Sequence, residues 1–439
     1  MGDITCKFGG SSLADAACIR QAEKIIRADS RRRFVVPSAP GKRASNDKKI
    51  TDLLYAWYNL AKDGLDASQP SGIIKTRFEE LASDLGVCFD IAAHLDQITE
   101  EVSRHETADY AASRGEYLNG RLMAELLGAT FVDPAECIRF DDEGAIDPAT
   151  YALLGARLQG DGLFVVPGFY GALPNGDIKT FSRGGSDVTG AIVARATNSD
   201  LYENWTDVSG FRMADPSIIP DAKRMAEVTY KELRELSYMG AKVLHDEAIF
   251  PVREPGIPIH IVNSRDPEAP GTMIVPRRES AHPVCGIAGS KGFTMINIEK
   301  ALMNRELGFG RRVLTVLEEH GVSFEHMPTG IDTISLIVKD EALANHGPSI
   351  LKAIERRCEP DRITLTAGLA LIATVGQGMN HHIGIAGTLC SALAEAGVNI
   401  RVLDQGSSEM NIIIGVEEND FEGAVRAIYS AFDTWAQSA

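Results

Sequence analysis

Ile4-Thr5-Cys6-Lys7-Phe8-Gly9-Gly10-Ser11-Ser12 opens the chain with a β-rich run, a lysine and a Gly-Gly-Ser-Ser turn. The run predicts a strand over residues 4–8, and the apolar spacing behind it predicts a helix over 13–28. Glycines between a strand and a helix let backbone approach a phosphate, helix-end N–H groups point at it, and a lysine adds compact positive charge. The spacing is not that of a GxxxxGK[ST] loop, and a tight structural turn explains Gly-Gly equally well. Outward from there, Phe34-Val35-Val36-Pro37 and Leu163-Phe164-Val165-Val166 read as short buried strands, and residues 129–132 and 201–205 as further strands. Residues 49–61, the block 72–127 and residues 185–196 read as helical. Strands alternating with amphipathic helices predict an α/β fold, a sheet covered by helices.

Composition sets the class. With 439 residues, 44% of them apolar and 24% charged, the chain is a soluble protein with several cores. Sixty-one acidic against 44 basic residues leave a net charge of −17, so its surface repels nucleic acid and anionic lipid, and an anionic substrate must meet a local basic site. The seven cysteines are dispersed and never spaced as CxxC, which reads as reduced thiols in a cytoplasmic protein. Residues 1–10 lack a basic region followed by an apolar one, and no apolar run reaches the roughly 18 residues of a spanning helix. Neither secretion nor membrane insertion is expected. Isolated His245 and the pair His381-His382 form no metal-ligand spacing, and no protein-ligated metal is assigned.

A second glycine-rich turn, Ser182-Arg183-Gly184-Gly185-Ser186-Asp187, opens the predicted helix 185–196. It is again an anion-binding helix start, with Arg183 able to hold both oxygens of a carboxylate; Ser186 or Asp187 serving as a plain N-cap is the alternative. Pro and Gly cluster between Glu254 and Pro283, marking a domain boundary. Beyond it lies an internal repeat. Residues 310–338 superpose without gaps on residues 386–414, 76 positions later: Val313 on Leu389, Glu319 on Glu395, Gly321 on Gly397, Gly330 on Gly406. Each copy reads as helix, Gly, strand, turn, strand, preceded by an apolar strand over 293–298 or 369–375.

Taken with Pro37-Ser38-Ala39-Pro40-Gly41, Thr51-Asp52, Arg114-Gly115-Glu116, Gly168-Phe169, Trp205-Thr206-Asp207-Val208 and Ala241-Lys242-Val243-Leu244-His245, the two glycine-rich motifs resemble the amino-acid kinase family, and within it the aspartate kinases. The doubled C-terminal unit resembles ACT domains. The resemblance runs from residue 3 to about 430. It implies a three-layer kinase sandwich with a mostly parallel sheet over 1–280, then ferredoxin-like βαββαβ ACT units at 284–368 and 369–439, with 284–290 interleaved with the second. It implies phosphoryl transfer from ATP, carried with Mg²⁺, to the side chain of L-aspartate, the first step toward lysine, threonine and methionine. A β-carboxylate is already ionised at pH 7, so cations and not a catalytic base are sought.

By the same resemblance, Lys7 neutralises charge on the transferred group and Asp187 orients it. Lys7, Phe8, Gly9, Gly10, Ser11, Thr206, Asp207, Lys242 and Val243 contact ATP. Ser38, Thr51, Glu116, Phe169, Arg183 and Ser186 hold aspartate, Arg183 at a carboxylate and Glu116 at the ammonium. Relatives often read GVYTADPR where this chain has Gly210-Phe211-Arg212-Met213-Ala214-Asp215-Pro216-Ser217; Arg212, or Lys223-Arg224, is the expected stand-in for the arginine displaced by Ser217. An amino-acid effector, lysine, is expected around Met303, Glu306, Gly308, Phe309, Ser323 and Glu325, and ACT pairing implies a homo-oligomer. A weak amino-acid sensor and a kinase of another acidic amino acid are the alternative readings. No GxGxxG segment follows the repeats, so a fused dehydrogenase is not expected.

Overall fold

The computed structural model describes residues 2–103, 107–182, 184–241, 244, 246–279 and 282–438. Among them the chain forms two compact units, the first comprising 1–211, 224–233 and 242–278, the second 212–223, 234–241 and 279–439.

The first unit is built on an eight-stranded sheet in the order Thr130–Phe131, Phe164–Val165, Arg32–Pro37, Ile4–Phe8, Leu201–Thr206, Ile259–Asn263, Thr272–Val275, Glu227–Thr229. Every neighbouring pair is parallel except Ile259–Asn263 with Thr272–Val275. From Ile4–Phe8 the chain steps first to one side, to Arg32–Pro37, and comes back much later on the other, at Leu201–Thr206. That reversal opens a crevice at the carboxyl ends of these strands, where parallel α/β sheets bind ligands.

Strand alternation sorts the side chains. Ile4, Cys6 and Phe8 are buried in the large apolar core shared with helices Ala16–Ala28, Ile50–Lys62, Ser68–Leu85 and Ala108–Leu127. Thr5 and Lys7 face the other way, Thr5 bonding Ser199 Oγ at 2.9 Å. The core-facing side carries one buried acid, Glu203. Arg32 Nε donates to it at 2.8 Å, Trp205 Nε1 at 2.9 Å and Cys6 Sγ at 3.4 Å. Burial, and then the Glu203 charge, push the Cys6 thiol up, so it is an inert packing group.

Three boundaries differ from the sequence reading. The helix expected from residue 13 begins at Ala16, after a 3₁₀ turn at Gly10–Leu13, because the Asp15 carboxylate takes the Cys18 N–H at 2.8 Å and caps it there. The block 72–127 is three helices, Ser68–Leu85, Ile91–Ser103 and Ala108–Leu127, the first ended by left-handed Gly86 and the last begun by Thr107, whose hydroxyl accepts from Tyr110 N–H. The Pro/Gly-rich stretch 254–283 is not wholly connecting chain, since it contains sheet strands Ile259–Asn263 and Thr272–Val275. Its prolines stand outside those strands, where no ladder N–H is needed.

The second unit carries a five-stranded antiparallel sheet ordered Thr333–Lys339, Gly286–Glu299, Arg362–Val375, Asn411–Glu417, Val402–Asp404. The apolar strands read over 293–298 and 369–375 each belong to a 14-residue strand, and the two long strands pair antiparallel with each other. Gly292 and Gly368 occupy equivalent positions in them, both with positive φ (89° and 73°), and the register shifts at Gly292. These glycines interrupted the apolar alternation and shortened the sequence reading. The bend lets Gly286–Lys291 run beside Ala370–Val375 in the second repeat while Phe293–Glu299 stays with the first. Two cores result, one under helices Phe309–Glu319 and Gly347–Cys358, the other under Ile385–Glu395 and Phe421–Ser438. The second also takes in Ala214, Ile219 and Ala222, which is why 212–223 clusters with this unit and a contiguous division at residue 280 misses it.

Replacing Glu203 by Ala strands Arg32, whose side chain is only 16% exposed, without its acid. The expected cost is about 3 kcal/mol or more, read as a lower urea midpoint with an unchanged m-value.

Candidate active site

At the carboxyl edge of the sheet, Lys7 is 7% exposed and its Nζ lies 2.6 Å from Asp187 Oδ1. Asp187 sits in the first turn of helix Gly185–Ala196, which packs against Ile4–Phe8, Arg32–Pro37 and Leu201–Thr206. The helix starts after Gly184 in the left-handed conformation, and no side chain caps it. Ser186 and Asp187 are therefore not caps; the Asp187 N–H is taken by Gly184 O at 2.8 Å, and those of Gly185 and Ser186 are the ones left to face an anion. The Tyr202 hydroxyl donates to Asp187 O at 3.0 Å, its ring lying against Gly190 where a Cβ would stand 2.5 Å from the hydroxyl oxygen. Asn204 donates from Nδ2 to Asp187 Oδ1 at 2.8 Å and accepts from Lys7 Nζ at 3.3 Å.

Two loops close on this pair. Gly9 N–H donates to Trp205 O at 2.9 Å, and a Cβ on Gly9 would stand 3.4 Å from Lys7 Nζ. Gly41 N–H donates to Gly10 O at 2.8 Å, an approach so close that a Cβ on Gly41 would fall 2.5 Å from Gly10 carbonyl atoms. Arg77, fully buried, secures the second loop by donating to Gly41 O and, at 2.9 Å, to Asp47. Phe8 is wholly buried and stacks on Trp205, so only its backbone faces the turn. Ser11 is half-buried; Ser12 bonds Ser264 Oγ at 2.7 Å.

Glu116 lies mid-helix in Ala108–Leu127, 6% exposed, its Oε2 without a hydrogen-bond partner among the described residues. Burial pushes its carboxyl up to about 8, against the pull of the Ala39 N–H and the Arg114 charge. Three contacts place it beside the Pro37–Gly41 loop: that Ala39 bond, Gly115 packed on Ala39 and Ile50, and Asn119 Nδ2 donating to Ser38 O at 2.7 Å. Thr51 follows Ile50 at the start of helix Ile50–Lys62. On the far side of Pro37, whose carbonyl accepts from Gly168 N–H at 3.0 Å, Gly168 packs onto Ser186. Phe169 has φ of 83°, unusual for a side chain, and is held there by its N–H on Thr189 Oγ1 at 3.0 Å and by Phe181 N–H on its carbonyl at 2.9 Å. Phe169, Ser182, Tyr55, Asp109 and Lys179 line a cavity of about 800 Å³.

Ser38, Glu116, Phe169 and Ser186 are thus linked through one set of loop contacts, with Lys7 and Asp187 at the same strand ends. Thr206 and Asp207 end the strand next to Lys7, Thr206 Oγ1 bonding Asp207 at 3.3 Å. Arg183, Lys242, Val243 and His245 lie outside the described residues. Arg212 belongs to the second unit, where its guanidinium donates to Ala222 O at 2.8 Å; Lys223 pairs with Asp433 at 2.5 Å, and Arg224 donates to Gly271 O. Asn204, Asn119 and Arg77 are polar groups that the sequence reading passed over. The first was signalled only as an amide within a buried strand.

In the second unit, Met303 and Phe309 are core residues, and Gly308 is the left-handed start of helix Phe309–Glu319. Glu306 is already paired, with Lys300 at 2.9 Å and with Arg312. Ser323 is exposed; Glu325 meets Lys339 at 3.6 Å. The equivalent place in the second repeat is a cavity of about 570 Å³ lined by Met379, Asn380, Gly384, Ile385 and Gln405.

Two families match the chain, the amino acid kinase family over residues 4–263 and an ACT domain over 372–432. Aspartokinase 3 of Bacillus subtilis is 39% identical, over 97% of this chain and 98% of that one. The Clostridium acetobutylicum aspartate kinase structure superposes with a TM-score of 0.93 at 50% identity, covering 98% of this chain and all of the other. Aspartokinase III of Escherichia coli, in complex with aspartate and ADP, superposes at 0.77 and 26% identity over 98% of this chain and 100% of that chain; the same enzyme with lysine and aspartate gives 0.77 at 27%, over 98% and 99%.

Glu116 predicts a pH signature in the ligand-free protein. Its folded value near 8 exceeds the ordinary 4.5, so its contribution is intact below about pH 4.5 and is lost as pH rises through 8. Glu116→Gln has no such loss. The variant's melting temperature is expected to exceed wild type's by a margin that widens from pH 5 to pH 9; a constant margin overturns the assignment.

Proposed function

Because this chain belongs to the amino acid kinase family, as an aspartokinase, we propose that its phosphoryl transfer runs over the Lys7–Asp187 pair at the carboxyl edge of the sheet. The enzyme is an aspartate kinase, passing the γ-phosphoryl group of ATP to the β-carboxylate of L-aspartate to give ADP and 4-phospho-L-aspartate. That product feeds the aspartate-derived amino acids, lysine, threonine and methionine, and a cytoplasmic setting, where ATP is made, belongs to the same reading. The observation that carries the site is a buried lysine held by a helix-start carboxylate beside two closely packed glycines.

An anionic nucleophile meeting a polyanionic phosphate gains most from positioning and charge neutralisation. Lys7 supplies the charge, and Asp187 fixes where it stands. Backbone N–H groups of Gly10 and Ser11, with Gly9 giving the close backbone approach and Thr206 and Asp207 beside them, contact the nucleotide; Lys242 and Val243 complete that set from sequence. Mg²⁺ would be carried in by ATP and would offset the charge of its phosphate oxygens. Glu116 takes the α-ammonium of aspartate, with Ser38, Thr51, Phe169 and Ser186 around it and Arg183 on a carboxylate. An ammonium favours the ionised acid, so aspartate binding expels the Glu116 proton below pH 8.

The C-terminal unit reads as the amino-acid sensor, with lysine the effector by likeness to the lysine-bound E. coli enzyme. Glu325 is the acceptor for the effector's cationic amine and the backbone at Gly308 the holder of its carboxylate. Leu307 and Ile383, equivalent in the two repeats and 95% and 100% exposed, mark an apolar face suited to a second copy of the chain.

Hydroxylamine trapping of the acyl phosphate is expected with L-aspartate and not L-glutamate, to be abolished in Lys7→Ala, and to show a KM for aspartate that falls as pH rises from 7 to 8.5. Hydroxamate from glutamate alone, or none, overturns the substrate. Titration calorimetry is expected to show lysine binding at millimolar concentration, lost in Glu325→Ala; no heat at that concentration removes lysine as effector.

A further inference from the structure

We propose that Asn204 is a positioning residue for phosphoryl transfer, an uncharged spacer that holds the Lys7 ammonium between Asp187 and the transferred group. The inference rests on Lys7 as the charge-neutralising group. Parallel pairing sets Lys7 directly beside Asn204, on the same face of neighbouring strands. Asn204 is 2% exposed, in a strand whose other buried side chains are spoken for: Tyr202 on Asp187 O, Glu203 on Arg32, Trp205 on Glu203.

The three groups close a triangle. Lys7 Nζ and Asn204 Nδ2 both donate to the same oxygen, Asp187 Oδ1, at 2.6 and 2.8 Å, and Asn204 Oδ1 accepts from Lys7 Nζ at 3.3 Å. An ammonium has three N–H groups. Two are taken inside the protein, leaving one, in a fixed direction, for a phosphoryl oxygen. An amide can donate to the carboxylate and accept from the lysine at once without adding charge. An aliphatic residue would leave Lys7 free to swing about Asp187. A second carboxylate would over-neutralise it, and its proximity to Asp187 would force the pair to share a proton.

The test is steady-state kinetics of the full chain with hydroxylamine trapping, for Asn204→Ala, Asn204→Asp and Lys7→Ala beside wild type. Asn204→Ala is expected to lose about 100-fold in kcat, with KM for aspartate and ATP changed less than about 3-fold. Asn204→Asp, close in shape and so the safer variant for folding, is expected to gain a titration in its kcat–pH profile that wild type lacks. Lys7→Ala inactive with both Asn204 variants at the wild-type rate and profile overturns this inference alone. Lys7→Ala retaining wild-type activity overturns the lysine's role and the inference with it. A loss in both variants that tracks a lower melting temperature, with KM raised for both substrates and no new titration, assigns Asn204 to packing and also overturns it.

Discussion

The candidate site depends on one register, the parallel alignment of Ile4–Phe8 with Leu201–Thr206 that sets Lys7 opposite Asn204 and beneath Asp187. Burying a lysine against a half-buried aspartate is costly, and their attraction repays it only when the remaining hydrogen-bonding groups are met. Here the second strand supplies those groups through Asn204 and Tyr202. A slip of one residue would turn Lys7 into the apolar core and bring Cys6 or Phe8 to the face that Lys7 now occupies. The opposite face resists that slip, because Glu203 is fastened to Arg32 and Trp205 and Phe8 stacks on Trp205. Stability on one face of the strands therefore fixes the geometry of the candidate site on the other.

Much of this was legible in the residues. The strand–glycine–helix grammar of Ile4–Ser12 and Ser182–Gly190 placed both motifs at strand or helix ends, where the structure has them, and the family comparisons agree with the resemblance drawn from them. Periodicity could not show side-chain networks that depend on long-range pairing. Asn204 and Lys7 are 197 residues apart and meet only through the sheet. Arg77 stands in a helix yet is buried, because its partners, loop carbonyls and the Asp47 carboxylate, are ones that no local pattern announces. Helix and strand limits failed where a single residue decides them, at Asp15, Gly292 and Gly368.

The two repeats of the second unit are not beads on a string. Their longest strands, Gly286–Glu299 and Arg362–Val375, lie side by side, and each crosses at its glycine from one repeat to the other. The strand completing the second repeat thus precedes the first in sequence. A ligand that reshapes either repeat must act on a sheet common to both, which gives the pair the mechanical unity that a two-state sensor requires.

The segment 212–223 carries a different implication. Ala214, Ile219 and Ala222 complete the apolar core of a unit whose remaining residues lie mostly beyond 279. In inheritance, such a regulatory half is not a cassette that one crossover can exchange. A recombinant that took only the C-terminal stretch from a relative would pair foreign helices with a native plug in the middle of the kinase sequence. The two stretches are bound to change together, and a lineage altering its regulation must do so by substitution at both ends of that core.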